Sequence, residues 1–325
     1  MTEAQPYDNL TPDLILDAIE SVGLGVSGSL FPLNSYENRV YQVGLNTGND
    51  IISKFYRPGR WSNEAILEEH RFSRELADNE IPVVAPLEID GKTLFDFEGY
   101  RFAVFEKRGG RSPELENPDH LRWLGRFLGR IHAVGRSQFF QHRPRLTPQR
   151  LGNTSVSFLL DSGFIPDYLQ HNYRVAAEAI LEVVSNHFEA CLPRYLRIHG
   201  DCHPGNILWT DDGPHFVDLD DTCMGPAIQD LWMLLSGDRQ QMETQLRTLL
   251  EGYHTFSDFD EAELILIEPL RALRQLHYSA WLARRWNDPA FPMHFPWFNT
   301  PRYWEEHLND LRECQERLAA PELRI

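Results

Sequence analysis

The sequence predicts an α+β fold in two lobes: a small, strand-rich N-terminal lobe over residues 1–108 and a larger, mostly helical lobe over 109–325. Three observations predict it. From residue 30 to about 104, short apolar runs alternate with polar residues and are broken by turn residues, the pattern of half-buried strands. After Gly109-Gly110 the apolar period lengthens to that of helices. Within the helical part, residues 198–221 stand apart as two strand-like runs around tight turns.

The elements follow in order. Residues 11–22 read as a helix, with Thr11 as N-cap and Pro12 at N1. Residues 39–43 and 50–55 read as a hairpin joined by 44–49, and 63–78 as a helix. Val83-Val84, 87–89 and 100–105 read as further strands, with a turn at Asp90-Gly91. The hinge falls near 105–110. In 119–136, Leu121, Leu124, Leu128 and Ile131 recur at the helical period. Further helices are expected over 175–190, over 226–236 between Pro226 and Gly237, over 260–286 with a kink or break near Pro269, and over 301–319.

Composition bounds the function. The chain has 325 residues, 42% of them hydrophobic, enough for real cores. It contains no apolar run of membrane-spanning length, and residues 1–8 are polar, unlike a signal segment. The four cysteines form no C-x-x-C pair, which fits a reducing cytoplasm. A net charge of −17 argues against nucleic acid and anionic membranes as partners. A site for phosphates would therefore need its own local positive charge.

The chemistry is concentrated in His199-Gly200-Asp201-Cys202-His203-Pro204-Gly205-Asn206 and in Phe216-Val217-Asp218-Leu219-Asp220-Asp221. Phosphoryl transfer from Mg²⁺·ATP needs one carboxylate to orient the attacking hydroxyl and accept its proton. It also needs an amide oxygen and a second carboxylate for the metal. Mg²⁺ prefers oxygen ligands and keeps several waters, so two protein ligands plus phosphate oxygens suffice. Asp201 takes the first role, and Asn206 and Asp218 take the others. Pro204-Gly205 makes the step from Asp201 to Asn206 a loop. The same break argues against a zinc site on His199, Cys202 and His203, which would want both imidazoles on one helix face.

This arrangement resembles the catalytic and metal-binding loops of the protein-kinase-like fold, in the H-G-D-x-H-x-x-N form of the aminoglycoside and choline phosphotransferase branch. Such a site needs a strand lysine for the phosphates and a helix glutamate to hold it. Lys54 is the one small-lobe strand lysine with apolar neighbours; its alternative is an edge-strand lysine that blocks sheet pairing. Glu69, beside the buried stripe of Phe72 and Leu76, is the expected partner, with Glu68 next. Residues 33–40 occupy the place of a phosphate-covering loop but carry no glycine, leaving Ser35 and the backbone around Tyr36 to meet the nucleotide. Gly91-Lys92-Thr93 is no P-loop, because Pro86 stands where a Walker A sequence needs glycine. Asp230, early in a helix, is expected to bond back to the catalytic-loop backbone.

Taken together, residues 33–41, Lys54-Phe55-Tyr56-Arg57-Pro58, Leu67-Glu68-Glu69-His70, the two loops, 225–235 and 288–292 resemble the bacterial stress response kinase A family over nearly the whole chain. The resemblance implies a cytoplasmic serine/threonine protein kinase that uses ATP and Mg²⁺, autophosphorylates and contributes to survival under stress. It implies Asp201 as the proton acceptor, Asn206 and Asp218 as metal ligands, and a nucleotide role for the Ser35-Tyr36 loop. A protein substrate and a monomeric chain are expected, with ATP in the cleft between lobes. A small-molecule phosphotransferase acting on an amino-alcohol or aminoglycoside shares the loop motif. A nucleotide-binding scaffold without catalysis is disfavoured by the complete residue set. Three features remain beside these. Seven arginines between 122 and 150 read as a solvated face or an anchor for an acidic segment. The aromatics of 281–304 read as packing or a cage for a cation. Cys202 and Cys223 are candidates for redox sensitivity.

Overall fold

The computed structural model describes residues 5–325, so the reading of 1–8 lies partly outside the described residues. Helix α1 (Pro12–Ser21) begins where Thr11 accepts the Leu14 N–H. Strands β1 (Val26–Pro32), β2 (Arg39–Leu45) and β3 (Asp50–Phe55) follow, then α2 (Asn63–Asp78), capped by Ser62. After β4 (Phe95–Phe97) and β5 (Tyr100–Glu106) the chain turns helical with α3 (Pro118–Gly135), which has Pro118 in its first turn. A π-helical turn, Gln149–Asn153, leads into α4 (Thr154–Asp161) and then α5 (Asp167–Cys191). Short strands β6 (Leu196–Ile198), β7 (Ile207–Thr210), β8 (Gly213–Phe216) and β9 (Cys223–Gly225) precede α6 (Ile228–Trp232) and α7 (Arg239–Tyr253). The remaining helices are α8 (Ile267–Arg285), α9 (Ala290–His294) and α10 (Pro301–Ala319). Among the described residues no helix is long and apolar enough to cross a membrane.

Several expected elements differ. Val83-Val84 and 87–89 make only single bridges, Val83 with Phe216 and Ile89 with Lys92. Pro82 and Pro86 remove the N–H donors that a ladder there would need. The expected helix at 226–236 is α-helical only over Ile228–Trp232. The break expected near Pro269 falls earlier: a 3₁₀ turn, Glu261–Leu266, precedes α8. Pro269 then sits in the first turn, where a missing N–H costs nothing. Helix α5 starts eight residues before 175, and α7 was not anticipated, although its capping box between Asp238 and Gln241 is a local signal.

The chain forms two units. The first takes the described residues up to Pro113, with Phe140–Arg143 and Pro204–Thr222. Its sheet is antiparallel in the order β1-β2-β3-β5-β4, so β3 is central. On one face Ile51 and Phe55 of β3, Val43, Phe102 and Val104 pack with Ile15 and Ile19 of α1. On the other, Ala103 packs with Ile66 of α2 and Tyr56. Lys54 lies opposite both Val40 and Ala103, and directly opposed residues point to the same face. Period two therefore turns Lys54 away from α1 and toward the face that α2 covers. Hairpin β7–β8 joins this unit through Phe216, whose N–H donates to the Pro82 carbonyl and whose carbonyl accepts from Val84.

The second unit takes Glu114–Phe139, Pro144–His203 and Cys223–Ile325. Here β6 pairs antiparallel with β9, α5 packs on α10 and α4 on α8. Trp281 meets Phe291 and Phe295 edge-on, and Phe291 and Phe298 are fully buried, so these aromatics are core packing. Helices α3 and α7 touch backbone to backbone. A Cβ on Gly125 would stand 2.0 Å from the Leu249 carbonyl oxygen, and one on Gly252 would stand 2.1 Å from that of Arg122. Neither neighbour is a flexible side-chain end, so the helices would have to separate. Gly125→Ala should lower stability by roughly 1–3 kcal/mol in urea titrations, and Gly125→Val by more; unchanged stability would mean that the helices can slide apart freely.

Candidate active site

In the first unit, the β7–β8 hairpin sets two of the candidate residues. The Asn206 carbonyl accepts the Val217 N–H at 3.0 Å, so Asn206 and Asp218 emerge at the same end of the hairpin. Asp218 has left-handed backbone angles, φ 59° and ψ 61°, which Asp tolerates better than most residues. Its side chain is half-exposed (53%) and accepts from Lys54 Nζ at 2.8 Å. Lys54 also lies 3.3 Å from Asp220. Burial alone would drive the Lys54 proton off, but Asp218, Asp220 and Glu69 outweigh it and hold the ammonium charged. With β3 in the middle of the sheet, the edge-strand reading of Lys54 is removed.

Asp220 is the centre of a buried charge cluster. It accepts from Arg60 and from Asn38 Nδ2 at 3.0 Å. Burial favours its protonated form, yet Arg60, Lys54 and Arg143 hold it well below the usual carboxylate range. Arg143 donates to the Asp220 carbonyl and, at 2.8 Å, to that of Thr222. Asn38 also accepts the Arg57 N–H at 3.1 Å. The sequence reading missed Asn38, Arg60 and Arg143, since no local pattern joins residues so distant in the chain.

The adjacent glutamates Glu68 and Glu69 of α2 divide their work. Glu68 accepts three consecutive backbone N–H groups, from Gln141, His142 and Arg143, at 2.7 to 2.9 Å. Glu69 is 2% exposed, and its Oε2 lacks a hydrogen-bond partner. Burial pushes its carboxyl up to about 7 against the pull of Lys54. Glu69 thus lies within the field of Lys54, whose ammonium contacts Asp218 and Asp220. Ser35 donates to the Asn38 carbonyl at 2.9 Å, holding the glycine-free loop, and Tyr36 is 37% exposed.

In the second unit, Asp201 follows β6 through Gly200, whose φ of 87° suits glycine. Buried Asp230 accepts the backbone N–H groups of His199 and Gly200, both at 2.8 Å. This is the backbone contact expected of it. Asp230 also bonds to His132 Nε2 at 3.0 Å, and His132 to the Tyr253 hydroxyl. Gln229 donates to the Gly200 carbonyl at 2.9 Å. Asp201 itself accepts from Arg274 Nη1 at 2.6 Å, with His203 Nε2 3.6 Å from its other oxygen. Arg274 gave no signal in the sequence.

Three of the alternative readings meet the structure here. Residues Pro204–Asn206 form a 3₁₀ turn and His199 is buried on its backbone contact, so the helical spacing a zinc site would need is absent. Cys202 and Cys223 are buried, and burial with nearby Asp230 and Asp201 pushes the Cys202 thiol well up, away from the reactive thiolate. The arginines of 122–150 are dispersed: Arg122 pairs with Asp119 and Glu251, while Arg143 is buried in the Asp220 cluster.

Comparison with known proteins gives the family. Residues 30–265 match the phosphotransferase enzyme family. Stress response kinase A of Escherichia coli O157:H7 is 46% identical over 319 residues, 98% of this chain and 97% of that one. The serine/threonine protein kinase RdoA of Salmonella typhimurium is 45% identical with the same coverage. Among solved structures, amicoumacin kinase hAmiN in complex with AMP-PNP, Ca²⁺ and Ami superposes with a TM-score of 0.67 at 19% identity, covering 94% of each chain. The fold is kinase-like, and the protein is a phosphotransferase. The chain belongs to the stress response kinase A family.

The Asp230 contacts carry a consequence for stability. Burial favours its protonated form, but the His132 hydrogen bond, the His132 and His199 rings and the Gly200 N–H hold its carboxyl below the ordinary value. A depressed folded value stabilises above the unfolded pKa of about 3.9 and is lost as pH falls through the folded one. Asp230→Asn should cost roughly 3 kcal/mol at pH 7 and flatten the loss of stability below about pH 5. Urea titrations from pH 3 to 8 would read both.

Proposed function

We propose that the protein is an ATP- and Mg²⁺-dependent serine/threonine protein kinase that also autophosphorylates, acting in the cytoplasm as a monomer in a stress response. The observation that carries this reading is the Lys54–Asp218 pair: a buried lysine on the central strand beside a half-exposed carboxylate on a left-handed turn. The name of the Salmonella relative supports the protein-kinase assignment.

The residues fit a hard divalent cation. Asp218 offers a carboxylate and Asn206 an amide oxygen, both at one end of the hairpin, and phosphate oxygens and water would complete the shell. When bound, Mg²⁺ neutralises charge on the nucleotide phosphates. Lys54 would then contact the α- and β-phosphates. Buried Glu69, with an unpartnered oxygen on the same face, would take over as its counter-charge. Ser35 and the backbone near Tyr36 would cover the phosphates. Asp201, on a loop fixed by Asp230, orients the acceptor hydroxyl and takes its proton. The acceptor oxygen bonds to the γ-phosphorus as the bond to the β–γ bridging oxygen breaks, and ADP leaves.

A second reading, a small-molecule phosphotransferase, is favoured by the likeness to a kinase solved with Ami. Incubation with ATP and either casein and myelin basic protein or a panel of amino-alcohols and aminoglycosides separates the two. Label on Ser or Thr of protein supports the kinase. Saturable ATP turnover stimulated by one small alcohol, with no protein labelling, overturns it.

Asp201→Asn should lose roughly 10²–10⁴-fold in turnover and autophosphorylation while still binding nucleotide. Asp218→Ala should lose Mg²⁺-dependent ATP binding as well, and Asn206→Ala should be milder, since water replaces a neutral oxygen more readily than a charged one. Calorimetry with Mg²⁺·ATP distinguishes them; wild-type affinity in Asp218→Ala would place the metal elsewhere.

A further inference from the structure

We propose that Arg274 selects the acceptor, leaving Asp201 to pair with an Asp or Glu carboxylate that flanks the phosphorylated Ser or Thr of a polypeptide. The inference rests on the protein-kinase reading above and names its substrate class. Arg274 Nη1 sits 2.6 Å from Asp201 Oδ1, one of the two oxygens able to take the acceptor proton. The other oxygen faces His203 at 3.6 Å. A guanidinium fixed there would hold off the incoming hydroxyl. An acceptor that brings its own carboxylate removes that obstacle, because Arg274 exchanges one anion for another. The Arg274 side chain is 47% exposed, so the exchange takes place where solvent screens the charges and the cost of breaking the pair is small.

The face around Arg274 suits such a polypeptide. Helix α8 carries Arg271, Arg274, Arg284 and Arg285 against one acid, Glu268, in a chain of net charge −17. Glu268 lies 3.4 Å from Arg271 and leaves Arg274 to Asp201. Arg274, Tyr278 and Arg285 recur at helical spacing along one side of α8. Tyr278 is 40% exposed and stacks on Trp281, ring centroids 5.7 Å apart. From Arg274 to Arg285 the helix rises roughly 16 Å, the length of about five residues of extended chain. A cation at each end and the exposed Tyr278 ring between them complement an extended acidic segment that starts at the reacting hydroxyl.

The test uses the full chain with Mg²⁺·ATP and Ser-containing peptides that differ only in flanking Glu, Gln or Lys. Wild type should favour the Glu peptides by about tenfold or more in kcat/KM, mainly through KM. Arg274→Gln should abolish that preference, Arg274→Lys should keep part of it, and Arg274→Glu should shift it toward the Lys peptides. Mg²⁺·ATP affinity, read on each variant, reports that it is folded. Equal use of all three peptides by wild type, or a Glu preference that persists in Arg274→Gln, would overturn the inference and leave the protein-kinase reading standing. Wild type that labels no peptide and no protein, while a small alcohol stimulates ATP turnover, would overturn both.

Discussion

A single buried residue, Asp220, ties together through its carboxylate and its carbonyl parts of the first unit that are far apart in the chain. Arg60 follows the central strand, Lys54 lies on it, Asn38 belongs to the loop before β2, and Arg143 comes from a segment seventy-seven residues upstream. A charge taken out of water is tolerated only when it is paired and hydrogen-bonded. The cations around Asp220 meet that requirement, and in doing so they fix the turn that carries Asp218. The half-exposed Asp218 carboxylate is thus the solvent-facing end of a cluster whose buried root is Asp220.

The second unit repeats this logic with a different anion. Asp230 spends its oxygens on two backbone N–H groups of the loop before Asp201 and on His132. The helix that presents Asp230 therefore sets the loop, and Gly200 supplies the left-handed angle that lets the chain turn there. Here too a fully buried carboxylate holds the loop that carries a partly exposed one.

Much of this was legible in the sequence. The H-G-D-x-H-x-x-N loop and Asp218 announce themselves because their spacing is local and their residue types are chemically restrictive. Thr11, Pro12 and the turn at Gly109-Gly110 mark boundaries for the same reason. What stayed hidden is long-range. Arg60, Asn38 and Arg143 converge on Asp220 only after folding, and Arg274 reaches Asp201 from a helix more than seventy residues later. Glu68 and Glu69 are adjacent on one helix, and periodicity alone could not say that one would bind backbone while the other faces the lysine. The proline-broken segment 82–89 misled in the opposite direction: its side chains suit a strand, but its backbone lacks the donors.

The grip of Glu68 on the N–H groups of Gln141, His142 and Arg143 has a mechanical meaning. Helix α2 cannot turn about its axis without dragging that tripeptide, and Arg143 in turn clasps the carbonyls of Asp220 and Thr222. Helix, tripeptide and turn form a geared train. Hydrogen bonds connect the helix to the backbone beside Asp218. The three amide protons held by Glu68 are the visible teeth of that train, and a proton held in this way exchanges with solvent only when its hydrogen bond opens.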